Sequence, residues 1–148
     1  MKILFVTSEA FPLIKTGGLG DVSNSLPNSF VQQGADVRLV LPAYRDVLKK
    51  IESYKILGWL KLGLQQEIRI LECRHDDFNM PIWLVDQPLL FDREGNPYTH
   101  PEGYDWQDNP VRFNIFTQAA ALLATDALKF GWHADVVHAN DWQTGMVH

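Results

Sequence analysis

The chain has 148 residues, of which 46% are hydrophobic and 21% are charged, a balance typical of a folded globular domain and not of a disordered one. Its 18 acidic and 13 basic residues give a net charge of −5, which argues against a general binder of nucleic acids or anionic membranes. Its single cysteine excludes an intramolecular disulfide, and with no membrane-length apolar run and no secretory signal we expect a cytoplasmic protein.

The first forty residues show the pattern of a β-α-β unit. A short apolar run at 3–6 predicts a strand that is buried on both faces. Apolar residues at helical spacing over 19–30 then predict a helix that stops at Gly34. Because Pro27 lies inside this helix, we expect a kink or a break there. A second strand at 37–41 completes the unit, which is typical of a parallel sheet.

The middle of the chain predicts further strands followed by a long loop. Segments 54–64 and 67–73 indicate two strands of a hairpin-like excursion, and 81–85 indicates another strand. Residues 86–110 contain four prolines and two glycines and predict a long irregular segment. Loops of that length in compact domains are often functional.

A buried helix and a last strand are predicted near the end. We expect Asp108 to cap this helix, Pro110 to lie in its first turn and Gly131 to stop it. Residues 135–139 predict a strand, and 141–145 look like the start of another helix. The order of these elements predicts an α/β fold with a Rossmann-like parallel sheet and flanking helices.

The first candidate site follows the first predicted strand. Two adjacent glycines, Gly17 and Gly18, let the backbone approach a ligand closely, and the helix start offers free N–H groups and a positive dipole end. Lys15 adds a cation, and Asp21 in the first helical turn can accept hydrogen bonds from hydroxyls. The pattern predicts a site for a phosphate or a developing oxyanion, the alternative being a turn that only reverses the chain.

The second candidate site follows the last predicted strand. Ligands bind outside the carboxyl ends of parallel strands, so we expect this motif and the first to open onto one crevice. Asp141 is a candidate carboxylate facing substrate, or a helix cap, or both. Trp142 either packs against a sugar ring or fills the core, and His138 is either a ligand contact or a hydrogen-bonded core histidine.

Two weaker signals complete the survey. The loop 91–98 has polar side chains suited to a hydroxyl-rich ligand, with Tyr98 as a polar tip, although a packed tyrosine in a turn fits it as well. The cluster at 75–77 resembles metal ligands, but its two adjacent aspartates point apart on a strand, so we expect a solvated turn and no metal site.

These motifs together resemble the N-terminal part of bacterial glycogen synthases and plant starch synthases, the ADP-glucose-type retaining glucosyltransferases. The matching strings, in chain order, are Ser8-Glu9, Phe11-Pro12, Lys15-Thr16-Gly17-Gly18-Leu19, Asp21-Val22, Leu41-Pro42-Ala43-Tyr44, Asp92-Arg93, Pro97-Tyr98, Asp108-Asn109, Arg112-Phe113 and Asp135 to Trp142. They span essentially the whole chain in the expected order, and the Lys-Thr-Gly-Gly-Leu string is specific to this group.

The resemblance implies a GT-B fold, in which the active site lies between two Rossmann-like domains. Residues 1–148 would be a partial N-terminal domain, without the C-terminal nucleotide-binding domain. Such enzymes transfer glucose from ADP-glucose, or UDP-glucose in some relatives, to the non-reducing end of an α-1,4-glucan with retention, and need no metal or cofactor. The expected partners are therefore a nucleotide sugar and an α-glucan.

The resemblance also implies roles for particular residues. Asp21 and Asp141 would face the donor glucose as the catalytic carboxylates, in positioning and electrostatic roles. The implied substrate-binding residues are Lys15, Thr16, Gly17, Gly18, Tyr98, His138 and Trp142. Where the family often has histidine, this chain has Asn140 and Gln143, which leaves Asp141 and Trp142 intact.

The length of the chain shapes the remaining expectations. We expect these 148 residues alone not to turn over the donor, and we expect self-association through an unfinished edge of the domain. The alternatives are a non-catalytic fragment that binds a glucan or a protein partner and, more weakly, a free-standing phosphate-binding β-α-β module.

Overall fold

The computed structural model describes residues 1–63, 67–145 and 147, and over these residues one six-stranded sheet has the order β3-β4-β5-β2-β1-β6. Its strands are β1 Lys2–Val6, β2 Asp36–Pro42, β3 Lys55–Leu60, β4 Ile68–Cys73, β5 Ile82–Asp86 and β6 Val136–Ala139. The helices are α1 Gly18–Gln32, α2 Arg45–Lys50, α3 Pro88–Phe91 and α4 Asn109–Ala124, and a 3₁₀ turn covers Trp142–Thr144.

The α/β fold with flanking helices is confirmed, and the sheet is mixed. Strands β5, β2, β1 and β6 run parallel, as the β-α-β pattern predicts. The predicted hairpin forms β3 and β4, which are antiparallel to each other, and β4 is antiparallel to β5. The hairpin therefore extends a parallel centre with an antiparallel edge. The last residue predicted for its first strand, Leu64, lies outside the described residues.

Apolar side chains cover both faces of the central strands. In β1, Leu4 and Phe5 are fully buried and point to opposite faces, since neighbours along a strand alternate. Phe30 of α1 packs on Phe5, with ring centroids 6.4 Å apart. On the opposite face Trp132 packs edge-on against Trp83 of β5 at 5.5 Å. Burial of each such side chain contributes roughly 1.5–3 kcal/mol to the free energy of unfolding. The apolar run at 3–6 is continuous because both faces of β1 are covered.

The first helix begins and ends where the sequence predicts, but the predicted break does not occur. Helix α1 is continuous through Pro27, which is buried. A proline inside a helix costs about 3 kcal/mol through its lost N–H and its ring clash. The burial of Pro27 and the packing of Phe30 on Phe5 offset this cost. The chain leaves the helix through Gly34, whose φ of +95° suits glycine.

The predicted ends of α4 are only partly correct. Pro110 lies in its first turn and Asp108 is its N-cap residue, as predicted, but the Asp108 side chain makes no capping hydrogen bond, so the prediction of a side-chain cap is wrong. Its carboxylate instead accepts two hydrogen bonds from Arg93, at 2.6 and 2.7 Å. The predicted stop at Gly131 is also wrong, because the helix ends at Ala124 and Asp126 then accepts hydrogen bonds from two amides of the following turn.

The outer strand β6 leaves apolar side chains exposed. Val136 and Val137 are 41% and 39% exposed, on a strand whose partner in the described sheet is β1 alone. These valines are consistent with the expected self-association, which stays a prediction. Among the described residues, no helix has both the length and the apolar character that crossing a bilayer requires.

Two glycines of the long loop provide a matched test of its conformation. Gly95 and Gly103 both have positive φ, at +87° and +96°, but a Cβ on Gly95 would lie 2.5 Å from the carbonyl oxygen of Thr99, whereas a Cβ on Gly103 would meet nothing. We expect Gly103→Ala to lower the free energy of unfolding by about 1 kcal/mol, and Gly95→Ala to lower it at least about twice as much. Denaturant titration measures both, and equal losses would contradict the loop geometry.

Candidate active site

The two candidate motifs lie side by side at the carboxyl ends of the parallel strands, which form one edge of the sheet. Strands β1 and β6 are parallel neighbours, with Val6 paired to Ala139, so the segments that follow them leave from the same edge. From β1 the order continues to β2 on one side and to β6 on the other. Such a reversal of strand order opens the crevice in which ligands bind in open α/β sheets.

The glycine turn at the start of α1 is open to solvent. Gly17 is the N-cap residue, and no side chain caps the helix. Gly17 and Gly18 are exposed, and a Cβ on either would meet no atom within 4 Å. The Gly20 amide donates to the Gly17 carbonyl at 3.2 Å. The Gly18 and Leu19 amides, at the positive end of the helix dipole, are therefore the donors that the turn offers to an anionic group.

Lys15 and Asp21 form an ion pair beside this turn. Their Nζ and Oδ2 atoms are 2.7 Å apart, and the side chains are 41% and 57% exposed. Exposed pairs of this kind contribute at most about 1 kcal/mol. A ligand that carries both an anionic and a hydroxyl group could therefore separate the two side chains at little cost and engage each of them.

Glu9 lies beneath the turn and is only 3% exposed. Its carboxylate accepts hydrogen bonds from the Thr16 amide at 2.7 Å, the Thr16 hydroxyl at 2.6 Å and the Gly17 amide at 3.4 Å. Thr16, predicted to bind substrate, thus donates both its amide and its hydroxyl to Glu9, although the residue is exposed. Glu9 is not among the site residues predicted from the sequence, although an acidic residue close behind a buried strand is a signal that indicates it.

Tyr98 joins the first motif to the second. Its hydroxyl donates to Glu9 at 2.6 Å and lies 2.7 Å from the Ser8 hydroxyl. Its ring packs against Phe113 at 5.8 Å and Trp142 at 6.2 Å. Burial, and then the hydrogen bond to Glu9, raise the pKa of the phenol far above its ordinary value, so Tyr98 stays a hydrogen-bond donor at neutral pH.

A buried arginine fixes the loop that carries Tyr98. Arg112 is 1% exposed and donates to the carbonyls of Leu90 at 2.7 Å and Pro97 at 2.9 Å, and to the Asn109 side chain at 2.8 Å. Asn109 in turn donates to the Tyr98 carbonyl at 3.0 Å. Burial lowers the pKa of the Arg112 guanidinium. The start of α4 therefore positions the backbone of Tyr98.

Asp141 has a strained backbone at the end of β6. Its φ and ψ of 66° and 178° belong to a region used almost only by glycine, at a cost of about 1–3 kcal/mol. Its carboxylate accepts a hydrogen bond from the Trp142 amide at 2.8 Å, which is the local capping role predicted as one alternative. Asp141 is also exposed, as is Trp142, so both remain available to a ligand.

His138 lies apart from the other predicted site residues. Its ring stacks on Phe5 at 4.9 Å and contacts Phe30 at 5.8 Å, which places it between the sheet and α1. Its buried Nδ1 has no hydrogen-bond partner among the described residues. The side chain of His138 therefore fits the core alternative, held by ring packing rather than by a hydrogen bond.

Asn140 ties the ends of β1 and β6 together. Its side-chain amide donates to the carbonyls of Val6 at 3.0 Å and His138 at 3.1 Å, and its own carbonyl accepts from the Thr144 hydroxyl at 2.9 Å. The Asn140 side chain thus holds the end of the strand in place.

The candidate site is an open edge rather than a closed pocket. A depression of about 750 Å³ lies elsewhere, between residues 50–55 and 72–76. Within 1–63, 67–145 and 147, no group of three or more histidine, cysteine or acidic residues is arranged to hold a metal ion. That the reaction needs no metal or cofactor remains a prediction.

Comparison with known proteins decides the family. The profile of the starch synthase catalytic domain matches residues 2–148. The chain belongs to the starch synthase catalytic domain family. It is similar to the glycogen synthase of Paramagnetospirillum magneticum, with 46% identity over 148 residues, and to that of Hydrogenovibrio crunogenus, with 48% identity over 150 residues. Each alignment covers 99% of this chain and 30% of the relative.

A solved structure agrees with this family. The catalytic domain of starch synthase IV from Arabidopsis thaliana, bound to ADP and acarbose, superimposes with a TM-score of 0.76 and 26% sequence identity. The match covers 98% of this chain and 29% of that one. The resemblance stated from the sequence is thus confirmed, and the chain spans about 30% of the length of the relatives it matches.

The strain at Asp141 predicts an unusual order of stability. Asp141→Gly removes both the strain and the hydrogen bond to the Trp142 amide, whereas Asp141→Ala removes only the hydrogen bond. We expect the glycine variant to exceed the alanine variant in free energy of unfolding by about 1–3 kcal/mol. Denaturant titration of both variants measures this difference. An alanine variant as stable as the glycine variant would show that the backbone is relaxed.

The Arg93–Asp108 pair predicts a dependence of stability on pH. Hydrogen bonds from Arg93 hold the pKa of the Asp108 carboxyl below its ordinary value of 3.8. A lowered carboxyl pKa stabilises the fold above the ordinary value, and this contribution disappears as the pH falls through the lowered one. We expect Asp108→Asn to be less stable than wild type near neutral pH, with the gap closing in acid.

Urea titrations at a series of pH values measure this gap. Glu94→Gln is the control. Because the Glu94 side chain is 75% exposed, we expect the free energy of unfolding of this variant to equal that of wild type at each pH. A gap for Asp108→Asn that stays constant down to strong acid would show that the ion pair does not cause it.

Proposed function

We propose that this chain is part of a retaining glucosyltransferase that transfers glucose from ADP-glucose to the non-reducing end of an α-1,4-glucan. The main support is the convergence of the two motifs at the ends of β1 and β6, linked from Gly17 through Glu9 and Tyr98 to Trp142. The family supports the same reaction, since relatives are named glycogen synthases and a solved relative is bound to ADP and acarbose.

The glycine turn would stabilise the leaving group. Breaking the bond between glucose and phosphate leaves a sugar with oxocarbenium character and an anionic diphosphate, and fixed donors aimed at the developing charge lower the barrier. The amides of Thr16 and Gly17 donate to Glu9 and that of Gly20 donates to the Gly17 carbonyl, so the diphosphate would meet the amides of Gly18 and Leu19. Lys15 is the mobile cation at the same place.

The two aspartates would act on the sugar. Asp21 and Asp141 are both exposed at the edge, where carboxylates can orient hydroxyls and support positive charge on the ring. Trp142, 59% exposed, offers an apolar face to a pyranose, and Tyr98 forms the border of the pocket. These roles require neither a metal nor a cofactor from this part of the protein.

The residues described do not by themselves make a complete cleft of a GT-B enzyme. The relatives are longer, since this chain spans 30% of their length. We therefore propose that the 148 residues alone do not turn over the donor and that the activity, in the cytoplasm, needs the remainder of such a protein.

A chimera tests this function. Residues 2–148 would replace the segment they match in the Paramagnetospirillum magneticum glycogen synthase, and glucan synthesis would be measured with ADP-glucose and with UDP-glucose. We expect the chimera to extend glycogen and the isolated chain to be inactive. A folded chimera that transfers glucose from neither donor would contradict the proposal, and transfer by the isolated chain would contradict the need for the remainder.

A lysine pair tests the role of the turn. In the chimera we expect Lys15→Met to lower kcat/KM by about 100-fold, as loss of a donor to developing charge does. Lys55→Met is the matched control, because Lys55 lies on the distant strand β3 and is 68% exposed. Equal activity of the two variants would show that Lys15 does not act in the site.

Titration of the isolated chain with maltooligosaccharide tests the alternative of a non-catalytic glucan-binding fragment. Such a fragment would bind the oligosaccharide, while the chimera built from it would transfer no glucose.

A further inference from the structure

The buried charge of Glu9 has an unusual set of partners. The carboxylate is nearly inaccessible, and no cation pairs with it among residues 1–63, 67–145 and 147. Its partners are four uncharged donors, namely two backbone amides and the hydroxyls of Thr16 and Tyr98. A buried carboxylate is costly without such donors, so these contacts and the nearby start of α1 offset the cost of burying it.

These contacts decide which amides a ligand can reach. Because the amides of Thr16 and Gly17 point inward at Glu9, the open donors of the turn begin at Gly18. Loss of the carboxylate would free both amides and release the turn from the core. The position of Glu9 therefore sets where an anionic group meets the start of α1.

The other partner of Glu9 belongs to a distant part of the chain. Tyr98 follows Glu9 by 89 residues, and its ring packs on Trp142, as does the ring of Phe113. Its carbonyl is held by Asn109 at the start of α4. The single hydrogen bond between Tyr98 and Glu9 thus connects the glycine turn to the neighbourhood of Asp141.

We propose that Glu9 is a positioning residue that couples the glycine turn to Tyr98, and that Thr16 and Tyr98 serve this link rather than bind substrate through their hydroxyls. The inference rests on the proposed function, because it concerns the two halves of that site. Misplacing catalytic groups by about 1 Å can cost about 100-fold in rate. Losing the link should therefore affect the chemical step more than ground-state binding.

Amide hydrogen exchange on the isolated chain tests the link directly. Glu9→Gln replaces one accepting oxygen by an NH₂ group, which faces hydrogen-bond donors and cannot accept from them. We therefore expect the Thr16 and Gly17 amides to exchange at least about tenfold faster than in wild type. The exchange rate of the Phe116 amide, in the buried part of α4, should be unchanged. Tyr98→Phe keeps the ring and should accelerate the same two amides less; it carries the test if Glu9→Gln does not fold. Unchanged exchange at Thr16 and Gly17 in the folded variants would overturn the proposal.

Kinetics in the chimera separate positioning from general stability. We expect Glu9→Gln and Tyr98→Phe each to lower kcat about tenfold or more, while KM for ADP-glucose stays within about threefold of wild type. The kcat of the double variant should be no lower than that of Glu9→Gln, because both changes break the same link. Asp108→Asn, which loosens the same loop without touching the link, should keep kcat within about twofold. Additive losses, or an equal loss for Asp108→Asn, would overturn the link.

The two proposals can fail separately. A wild-type chimera without transferase activity contradicts the proposed function, while the exchange rates of Thr16 and Gly17 still decide whether Glu9 holds the turn. An active chimera with unchanged exchange in Glu9→Gln keeps the function and rejects the link.

Discussion

The hydrogen bonds around the Glu9 carboxylate organise the functional edge of this domain. A buried anion must have donors on every side, and the chain supplies them from the turn before α1 and from Tyr98, 89 residues later. The requirement holds two loops together that no strand pairing connects. The glycines of the turn stay exposed, since the contacts to Glu9 are made by Thr16 and by the backbone amide of Gly17.

The remaining parts of the edge are held by side chains that satisfy backbone groups. Arg112 and Asn109 bind the carbonyls of the loop before α4, and Asn140 binds the carbonyl of Val6 at the end of β1. Such bonds let irregular backbone lie against the sheet without unsatisfied polar groups. The strained Asp141 follows directly after this anchored end, and its carboxylate is thereby held at the rim of the crevice.

Periodicity and local chemistry predicted most of the elements, because burial on a sheet repeats at short intervals along the chain. They failed where distant partners compete with local preferences. Asp108 is a good N-cap by type, yet Arg93 takes its carboxylate. Pro27 is a helix breaker by type, yet packing keeps α1 intact. For His138 the sequence left a ligand contact and a core histidine open, and stacking of its ring on Phe5 favours the core.

The sequence by itself determined the α/β class, the motif at 15–21, the motif at 138–142 and the family, because glycine pairs, strand runs and the order of motifs are local properties of the chain. Only the tertiary structure decided that Thr16 and Tyr98 face Glu9, that Lys15 pairs with Asp21 and that the two motifs share one edge. The physical reason is that a buried carboxylate binds the donors that folding brings within about 3 Å of it. Tyr98 lies 89 positions after Glu9, and the sequence does not show that their side chains meet.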